Sequence, residues 1–442
     1  MAVKISDHFT FKRLIRFVAP CIAMMIVTSV YSIVDGFFVS NFAGKNAFAA
    51  VNLIMPVLMG LSAFGFMIGT GGSALVAFTF GQGKKERANQ IFSMLIELVF
   101  LAGVTVSILG TVFMPQIVHA LGASDLIFAD SVLYGRIMLI SLTFYMMQNS
   151  FQSFLATAER AKMGLMISVA MGLLNVFLDF LFVYVLHLGI AGAGIATAIA
   201  EILGGTIPFF YFARENASRL RFHITKLDFR AIRKACANGS SEMLTNLSTS
   251  IVGILYNFQL MKYAAENGVA AYGVVMYVSF IFMAFYFGYA IGIGPVVGYH
   301  YGAGHRDELK NLLRKSLLVT TVAAVVMTCL GQFGAEPIAK VFVGYDAELL
   351  SITARALQIY SFAFLLNGFN IFGSAFFTGL NNGKISAMIS VLRTLVIQVS
   401  AILILPIFFG IDGVWCAIIV AEGITLFITA FFLLVKQKNY GY

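Results

Sequence analysis

Charged side chains are scarce in this chain. Aspartate, glutamate, lysine and arginine together make up 11% of its 442 residues, less than half of the usual share of about 25%. Apolar residues make up 60%, and the mean hydropathy is +0.91. A soluble globule has no place for so much apolar surface, so this composition excludes that class. Apolar runs of about 20 residues can each cross a bilayer, and their number here indicates a multi-pass membrane protein.

Cysteine and histidine are also scarce, and neither is grouped. The four cysteines stand singly, without the paired spacing of a zinc or redox motif, at positions 21, 236, 329 and 416. The six histidines show no ligand spacing, and the phosphate-binding pattern Gly-x-x-x-x-Gly-Lys-Ser/Thr is absent. These absences count against a metal site, a membrane-embedded enzyme and a pump that itself uses ATP. No cofactor is expected.

What the sequence does contain is an internal repeat. Ten residues of the first half recur about 221 positions further on; they include Asn46 and Asn267, Gly81 and Gly302, Gly83 and Gly304, Gly189 and Gly410, and Glu201 and Glu422. Each half is a string of segments long enough to cross a bilayer. A tandem duplication of this kind is typical of a transporter with two lobes around a central path.

Polar loops divide the chain into twelve predicted membrane-spanning helices of an all-α protein. Their approximate ranges are 15–39, 51–80, 91–113, 131–157, 165–186, 190–212, 238–261, 271–301, 316–338, 355–378, 386–408 and 412–435. Six spans per half is an even number, so both repeats enter the membrane from the same side, and a pseudo-two-fold axis along the membrane normal relates them. We expect an N-terminal lobe of residues 1–213, a cytoplasmic linker at 214–237 and a C-terminal lobe at 238–442.

The distribution of basic residues predicts the orientation. Of the 29 lysines and arginines, 23 fall on the side of the predicted topology that holds both termini, and the opposite side holds only Lys45, Lys262 and Lys340. Basic loops stay in the cytoplasm, so both termini are expected there. The net charge of +9 then reflects topology and contact with membrane lipid, and it does not indicate binding of nucleic acid.

Two aspartates are the main candidates for chemistry within the membrane, where a carboxylate normally faces a cavity or a partner. Counted at about 1.5 Å per residue, Asp35 in the first helix and Asp179 in the fifth reach the same depth in the outer half of the membrane. Tyr31 and Asn175 each precede one aspartate by four residues and share its helical face, and Thr197 of the sixth helix reaches the same depth. These five residues form a candidate site for a proton or a small monovalent cation.

The repeat supports a role for these aspartates in one lobe only. The position equivalent to Asp35 holds Tyr256, and the position equivalent to Asp179 holds Ser400 or Ala401, depending on the register. We therefore expect the N-terminal lobe to bind the coupling ion. The alternative is a structural role, in which backbone groups or an arginine satisfy both carboxylates.

The other polar residues of the predicted helices have less certain roles. Glu201 and Glu422 are repeat equivalents with either a packing or a functional role, Glu97 and Arg393 can reach a membrane boundary, and Glu242 either caps its helix or faces a cytoplasmic vestibule. Polar and adaptable side chains that could line a substrate cavity are Gln148, Asn149, Gln152, Met276, Phe280, Met283, Asn367 and Asn370.

Several segments together resemble the multidrug and toxic compound extrusion (MATE) family, in particular its bacterial MepA-like and DinF-like branch. The segments are YSIVDGFFVSNFAG, FAAVNLIMP, GTGGSALVAFTFGQGKKERA, LLNVFLDFLFVYVLHLGIAGAGIATAIAE and, in the second half, GYAIGIGPVVGYHYGAG. The resemblance implies an antiporter of the bacterial inner membrane that exports cationic and amphiphilic compounds by alternating access, driven by H+ or Na+. It also implies a cation site at Tyr31, Asp35, Asn175, Asp179 and Thr197. We expect a monomer.

The second half departs from the NorM-like branch of that family, which carries sodium-binding acids in the middle of helices 7 and 10. Here those helices offer no central carboxylate, and their polar residues are Ser248, Thr249, Ser250, Asn257, Asn367 and Asn370. The departure argues against a sodium site in the C-terminal lobe. A lipid-linked oligosaccharide flippase with the same two-lobe fold is the alternative function, and it would be expected to line its cavity with several arginines or lysines.

Overall fold

The computed structural model describes residues 3–223 and 225–442, apart from the side chain of Lys45. The described residues are almost entirely helical and contain no strand. The first half forms six helices, and the first and the fifth of them continue into a short π-helical turn. They are α1 (Phe11–Ala43), α2 (Lys45–Gly81), α3 (Lys85–Ala120), α4 (Asp125–Thr157), α5 (Ala161–Val185) and α6 (Gly189–Ala213).

The second half begins with a helical stretch of 74 residues, Phe229–Gly302. At 1.5 Å per residue it would measure about 110 Å, which is too long for one crossing, and its backbone leaves the helical conformation at Ala264 and Ala265. It is therefore two spans, α7 (229–263) and α8 (266–302). The stretch Gly383–Tyr440 is divided in the same way at Gly410 into α11 (383–409) and α12 (411–440).

Between these stretches lie α9 (Arg306–Val343) and α10, a pair of helical segments, Ala347–Ser361 and Phe364–Gly379, bent by 46°. In the described part of the chain nine helices are long and apolar enough to cross a membrane, or ten if the bent pair is one span. The two internal breaks raise that number to twelve. The predicted fold class, twelve spans in two six-helix lobes, is confirmed.

The helices extend further than the apolar runs that predicted them. The α9 helix begins at Arg306 and not near 316, and α3 ends at Ala120 and not near 113. The apolar run marks only the part of a helix that lies in hydrocarbon. The backbone continues as helix beyond it, where charged and polar side chains reach water.

Backbone conformation repeats between the two halves. Three pairs of residues separated by 221 positions have a positive φ in both copies, and they are Gly44 and Ala265, Gly83 and Gly304, and Gly189 and Gly410. Five of these six are glycines, which adopt this conformation without a steric cost, and Ala265 alone carries a Cβ there. Corresponding helices of the two lobes are therefore joined by turns with the same backbone conformation.

The two ends of the chain meet on one face of the molecule, which we call the termini face. Ile5, Phe9 and Tyr442 are buried in the same apolar cluster. On this face α2 and α8 meet symmetrically, because a Cβ on Gly81 would collide with the Tyr299 carbonyl and a Cβ on Gly302 with the Phe78 carbonyl. The lobes therefore touch backbone to backbone at this end.

A second close contact between the lobes joins α2 to α7, and we call it the gate. It lies between the termini face and the central cavity described below. A Cβ on Gly239 would lie 2.8 Å from the carbonyl carbon of Met67 and 3.0 Å from the nitrogen of Gly71. The buried amide of Asn238 donates to the Gly71 carbonyl at 3.4 Å and to the Thr378 carbonyl at 2.9 Å. The gate consists of these contacts, and it is closed in this structure.

Candidate functional site

Asp35 of α1 and Asp179 of α5 lie side by side inside the N-terminal lobe. The two carboxylates are close enough to share a hydrogen bond when one of them carries a proton. Asp179 is fully buried and Asp35 is 9% exposed. Neither forms a salt bridge with a described residue, and neither oxygen of Asp179 has a hydrogen-bond donor there. The pair is thus two acidic groups that are buried and that pair with no base among the described residues.

The three neighbours named from the sequence surround this pair. Asn175 donates to the Thr197 hydroxyl at 3.2 Å, and that hydroxyl donates to Oδ1 of Asp35 at 3.4 Å. The amide oxygen of Asn175 is buried, and no described residue donates a hydrogen bond to it. Tyr31 packs on α5 at Gly172, where an added Cβ would lie 3.1 Å from its ring. The arrangement presents oxygen atoms from three helices to one small space.

Both aspartates stand close to a local widening of their helix. The π-helical turn Val39–Ala43 follows Asp35 by four residues, and the π-helical turn Phe180–Val185 begins directly after Asp179. Such turns are rare and are frequent at functional sites. Their presence on α1 and on α5 marks this region of the lobe as locally irregular.

Glu201 of α6 is a third carboxylate in the same lobe. It is 9% exposed and accepts a 2.5 Å hydrogen bond from the Ser141 hydroxyl. Its charge interacts with that of Asp35. The sequence left the role of Glu201 open between packing and function, and the structure places it in the same lobe, within range of the charge of Asp35.

The equivalent glutamate of the C-terminal lobe has a different environment. Glu422 lies 2.9 Å from Nε of Arg393, in an ion pair that is too bent for a hydrogen bond. Asn370 donates to its carboxylate at 2.8 Å, and Asn367, in the amide orientation that satisfies both of its polar atoms, donates at 3.0 Å. One lobe therefore holds a charge-balanced carboxylate, and the other holds acids without a base.

Aromatic packing replaces the first aspartate in the C-terminal lobe. Tyr256, the repeat equivalent of Asp35, is buried and stacks on Tyr272 with ring centroids 4.8 Å apart. Trp415 completes the cluster. This arrangement is an ordinary apolar core, and it offers no group that gains or loses a proton near neutral pH.

A cavity of about 240 Å³ lies between the lobes, lined by α1, α2, α4, α7, α8 and α10. Four of the eight residues proposed for a substrate cavity line it, namely Asn149, Gln152, Phe280 and Met283. The other four do not. Gln148 packs against Gly204, Met276 packs on the core of its lobe, and Asn367 and Asn370 bind Glu422.

The cavity has one carboxylate that was not selected as a site residue from the sequence. Glu242 of α7 lines it, whereas its position near the predicted start of a helix had suggested a cap or a vestibule residue. The α7 helix begins at Phe229 and is capped by Asp228, so Glu242 lies well inside the span. A predicted helix that began at its cap, Asp228, would have placed Glu242 well inside the helix.

In the described residues no three side chains of histidine, cysteine, aspartate or glutamate are grouped as metal ligands. The oxygens around Asp35 and Asp179 suit a proton or a monovalent cation, which would be cargo of the transport cycle and not a resident metal.

Two related lobes of six spans, an unscreened acid pair in one of them and a cavity between them define a multi-pass membrane transporter. The family model described as MatE matches residues 20–181 and 243–404, one match in each half. These matches cover most of the chain, which therefore belongs to the MatE family of transporters.

Curated relatives and solved structures agree over nearly the full length. The chain is 23% identical over 447 residues to the multidrug export protein MepA of Staphylococcus haemolyticus, covering 98% of this chain and 95% of that protein. For MepA of Staphylococcus aureus strain MRSA252 the identity is 21% over 425 residues, with 94% and 91% covered.

Among solved structures, an outward-facing multidrug resistance MATE family transporter superposes with a TM-score of 0.92 at 23% identity, with 98% of this chain and 97% of that chain covered. A MOP superfamily transporter from Pyrococcus furiosus superposes with a TM-score of 0.91 at 22% identity, again with 98% of each covered. At this identity the likeness concerns the fold.

Proposed function

We propose that this chain is a secondary active antiporter that exports cationic or amphiphilic organic compounds in exchange for H+, with Na+ as the less favoured coupling ion. The observation that carries the proposal is the buried pair Asp35 and Asp179, which forms no salt bridge with any base in the described part of the chain. The relatives named above are multidrug export proteins, and the central cavity has a suitable lining for such compounds.

The aspartate pair favours a proton as the coupling ion. Two adjacent carboxylates in a medium of low dielectric constant repel each other strongly, so the ionised pair needs a proton or a cation. A proton needs only the two carboxylates. A sodium ion would need several further oxygen ligands at the same time, such as the Thr197 hydroxyl and the Asn175 amide oxygen. We therefore place H+ first.

Helix α1 provides the connection between the ion site and the substrate cavity. It carries Tyr31 and Asp35 on one side, and Met25 and Ser29 of the same helix line the cavity. The Ser29 hydroxyl lies 3.5 Å from the Phe280 carbonyl of α8, in the other lobe. Proton uptake by the pair removes a repulsion and lets α1 repack, which changes the cavity wall and the contact between the lobes.

The cavity suits an apolar organic cation. Three phenylalanines and three methionines line it together with side-chain amides and hydroxyls. Methionine and phenylalanine form adaptable walls that accept more than one shape. Such a lining matches a broad range of substrates better than one exact ligand.

We further propose that both termini lie in the cytoplasm of a bacterial cell, that the chain works as a monomer in the inner membrane, and that residues 214–237 link lobes 1–213 and 238–442. The basic side chains of the termini face and the connecting segment support this orientation. Arg219 of that segment contacts Glu159 at 3.2 Å, so the linker is attached to the N-terminal lobe.

The flippase alternative is less well supported. A flippase for a pyrophosphate-linked lipid needs basic groups in its central path, and the described lining residues of the cavity include no lysine, arginine or histidine. Arg393 is a buried base, but it forms an ion pair with Glu422.

The test is transport in proteoliposomes that contain the purified protein and a fluorescent organic cation, with a pH gradient or a sodium gradient imposed separately. Wild type should move the dye against its gradient when the pH gradient alone is imposed. Asp35→Asn and Asp179→Asn should abolish the dependence on that gradient, because each removes one of the two acids.

Glu97→Gln is the matched control, since Glu97 is an exposed carboxylate on α3 away from the pair. It should transport as wild type does. Transport that follows only the sodium gradient would overturn the choice of ion. Dye movement in Asp35→Asn that keeps its full dependence on a gradient would overturn the assignment of the site.

A further inference from the structure

We infer that Glu242 is the anionic anchor that binds the positive charge of a monovalent organic cation in the central cavity. This inference rests on the proposed export function and adds to it a substrate-binding residue in the C-terminal half. It separates the residue that holds the substrate charge from the pair that holds the coupling ion.

Glu242 is the only charged residue among the described residues that line the cavity. All the others are apolar side chains, amides, hydroxyls or glycine and proline. A single carboxylate in a space of low dielectric constant attracts a cation strongly, because few solvent dipoles screen it. The charge of the cavity therefore matches a ligand with one positive charge.

The carboxylate of Glu242 is available to a ligand. In residues 3–223 and 225–442 no donor forms a hydrogen bond with its side chain and no base forms a salt bridge with it. Asn246, one turn further along α7, uses its amide to bind the Glu242 backbone carbonyl at 2.9 Å. Arg393, the one base whose charge acts on Glu242, is paired with Glu422.

Glu242 also has the right position for a substrate that enters from the termini face. It lies three residues from Gly239, which packs on Met67 and Gly71 in the closed gate. Opening that gate would expose Glu242 to the termini face. A cation arriving from that side would meet the carboxylate before it meets the apolar rings of Phe280 and Phe287.

The neighbouring side chains define the rest of the ligand. The amides of Asn149, Gln152 and Asn246 can accept or donate hydrogen bonds, and the aromatic rings and methionine sulfurs suit a bulky apolar body. The cavity thus fits an amphiphilic cation whose charge lies at one end or is surrounded by rings. A small inorganic cation would leave most of this surface without a contact.

The experiment compares two probes of similar shape, methyltriphenylphosphonium, which is a cation, and triphenylphosphine oxide, which is neutral. Binding of each to the full-length protein in lipid nanodiscs is measured by calorimetry. Glu242→Gln should raise the Kd of the cation by at least about tenfold and leave the Kd of the neutral probe unchanged. Glu242→Asp, which keeps the charge, should retain most of the preference for the cation.

Glu97→Gln is the control, because it removes a carboxylate from the membrane region away from the cavity. A Kd for the cation that is the same in wild type and in Glu242→Gln overturns the inference alone. A wild type that binds neither probe overturns the proposed export function, and the inference with it. If Glu242→Gln does not fold, the test is made on wild type by modifying Glu242 with a carbodiimide. The cation should slow this modification, and the neutral probe should not. Equal protection by both probes overturns the inference.

Discussion

The substitution Gly239→Ala should weaken the closed gate on the termini face. A Cβ at this position would lie 2.8 Å from the Met67 carbonyl carbon and 3.0 Å from the Gly71 nitrogen. These are backbone atoms, which cannot rotate away as a side chain can, so α2 and α7 must separate. The cost falls on the closed state, because the two helices no longer touch once the gate opens.

The size of the effect follows from the cost of overpacking. One extra methyl group in a close-packed contact costs about 1–3 kcal/mol. A cost of that size, applied to one of two states, lowers its population relative to the other by about 5-fold to 150-fold. The opened state should then be readily detected even if wild type populates it at a few per cent.

The assay is the accessibility of one cysteine in the cavity. Thr245, which lines the cavity near Glu242, is replaced by cysteine after the four native cysteines are replaced by serine. A membrane-impermeant maleimide is then added to the termini face. Gly239→Ala should raise the labelling rate from that side by about 5-fold or more.

Gly253→Ala is the matched control on the same helix, since an added Cβ there meets no atom within 4 Å. Its labelling rate should equal that of the parent protein. If Gly239→Ala also labels at the parent rate, the contact of Gly239 with α2 does not hold the gate closed, and the explanation of the closed state is refuted.

Two further predictions concern stability. Arg393→Gln leaves Glu422 as a buried carboxylate without its base, which should cost about 3–5 kcal/mol and lower the Tm in thermal unfolding; the double variant with Glu422→Gln should recover much of the loss, and an equal Tm in the two variants would contradict the ion pair. Asp228→Ala removes the cap of α7 and should cost about 1 kcal/mol at neutral pH. The N–H groups of Ala231 and Arg230 and the charge of Arg87 hold the pKa of Asp228 below its usual value. A lowered pKa means that this contribution is present above the usual aspartate pKa of about 3.9 and is lost as the pH falls below it. The Tm difference from wild type should therefore become smaller in acid, and a difference that is the same in acid as at neutral pH would contradict the assignment.

The fold could be predicted from the sequence because each helix that crosses a membrane needs a long run of apolar residues. Apolar runs gave the spans, and repeated residues such as Gly189 and Gly410 gave the two-lobe order, which their shared backbone conformation now explains. Helix ends could not be predicted as closely, because charged residues such as Arg306 continue the helix beyond the hydrocarbon. The break at Ala264 and Ala265 falls in the loop predicted between the spans 238–261 and 271–301, although the two alanines themselves do not mark it, since alanine favours helix.

The candidate site could also be predicted only in part from the sequence. Depth counting along straight helices brings Asp35 and Asp179 together, and the structure has them side by side. Which polar side chains line the cavity depends on helix rotation and bending, and neither is recorded in a hydropathy pattern. Gln148 and Asn149 are neighbours in sequence, yet one packs against Gly204 and the other lines the cavity.

The most direct test of the central claim, exchange of a substrate cation for a proton held by Asp35 and Asp179, is proton release on substrate binding. Methyltriphenylphosphonium is added to the purified protein in weak buffer with a pH-sensitive dye. Wild type and Glu97→Gln should release about one proton for each cation bound, and Asp179→Asn should release clearly less. Equal release from wild type and Asp179→Asn, or binding without release in wild type, would contradict the account.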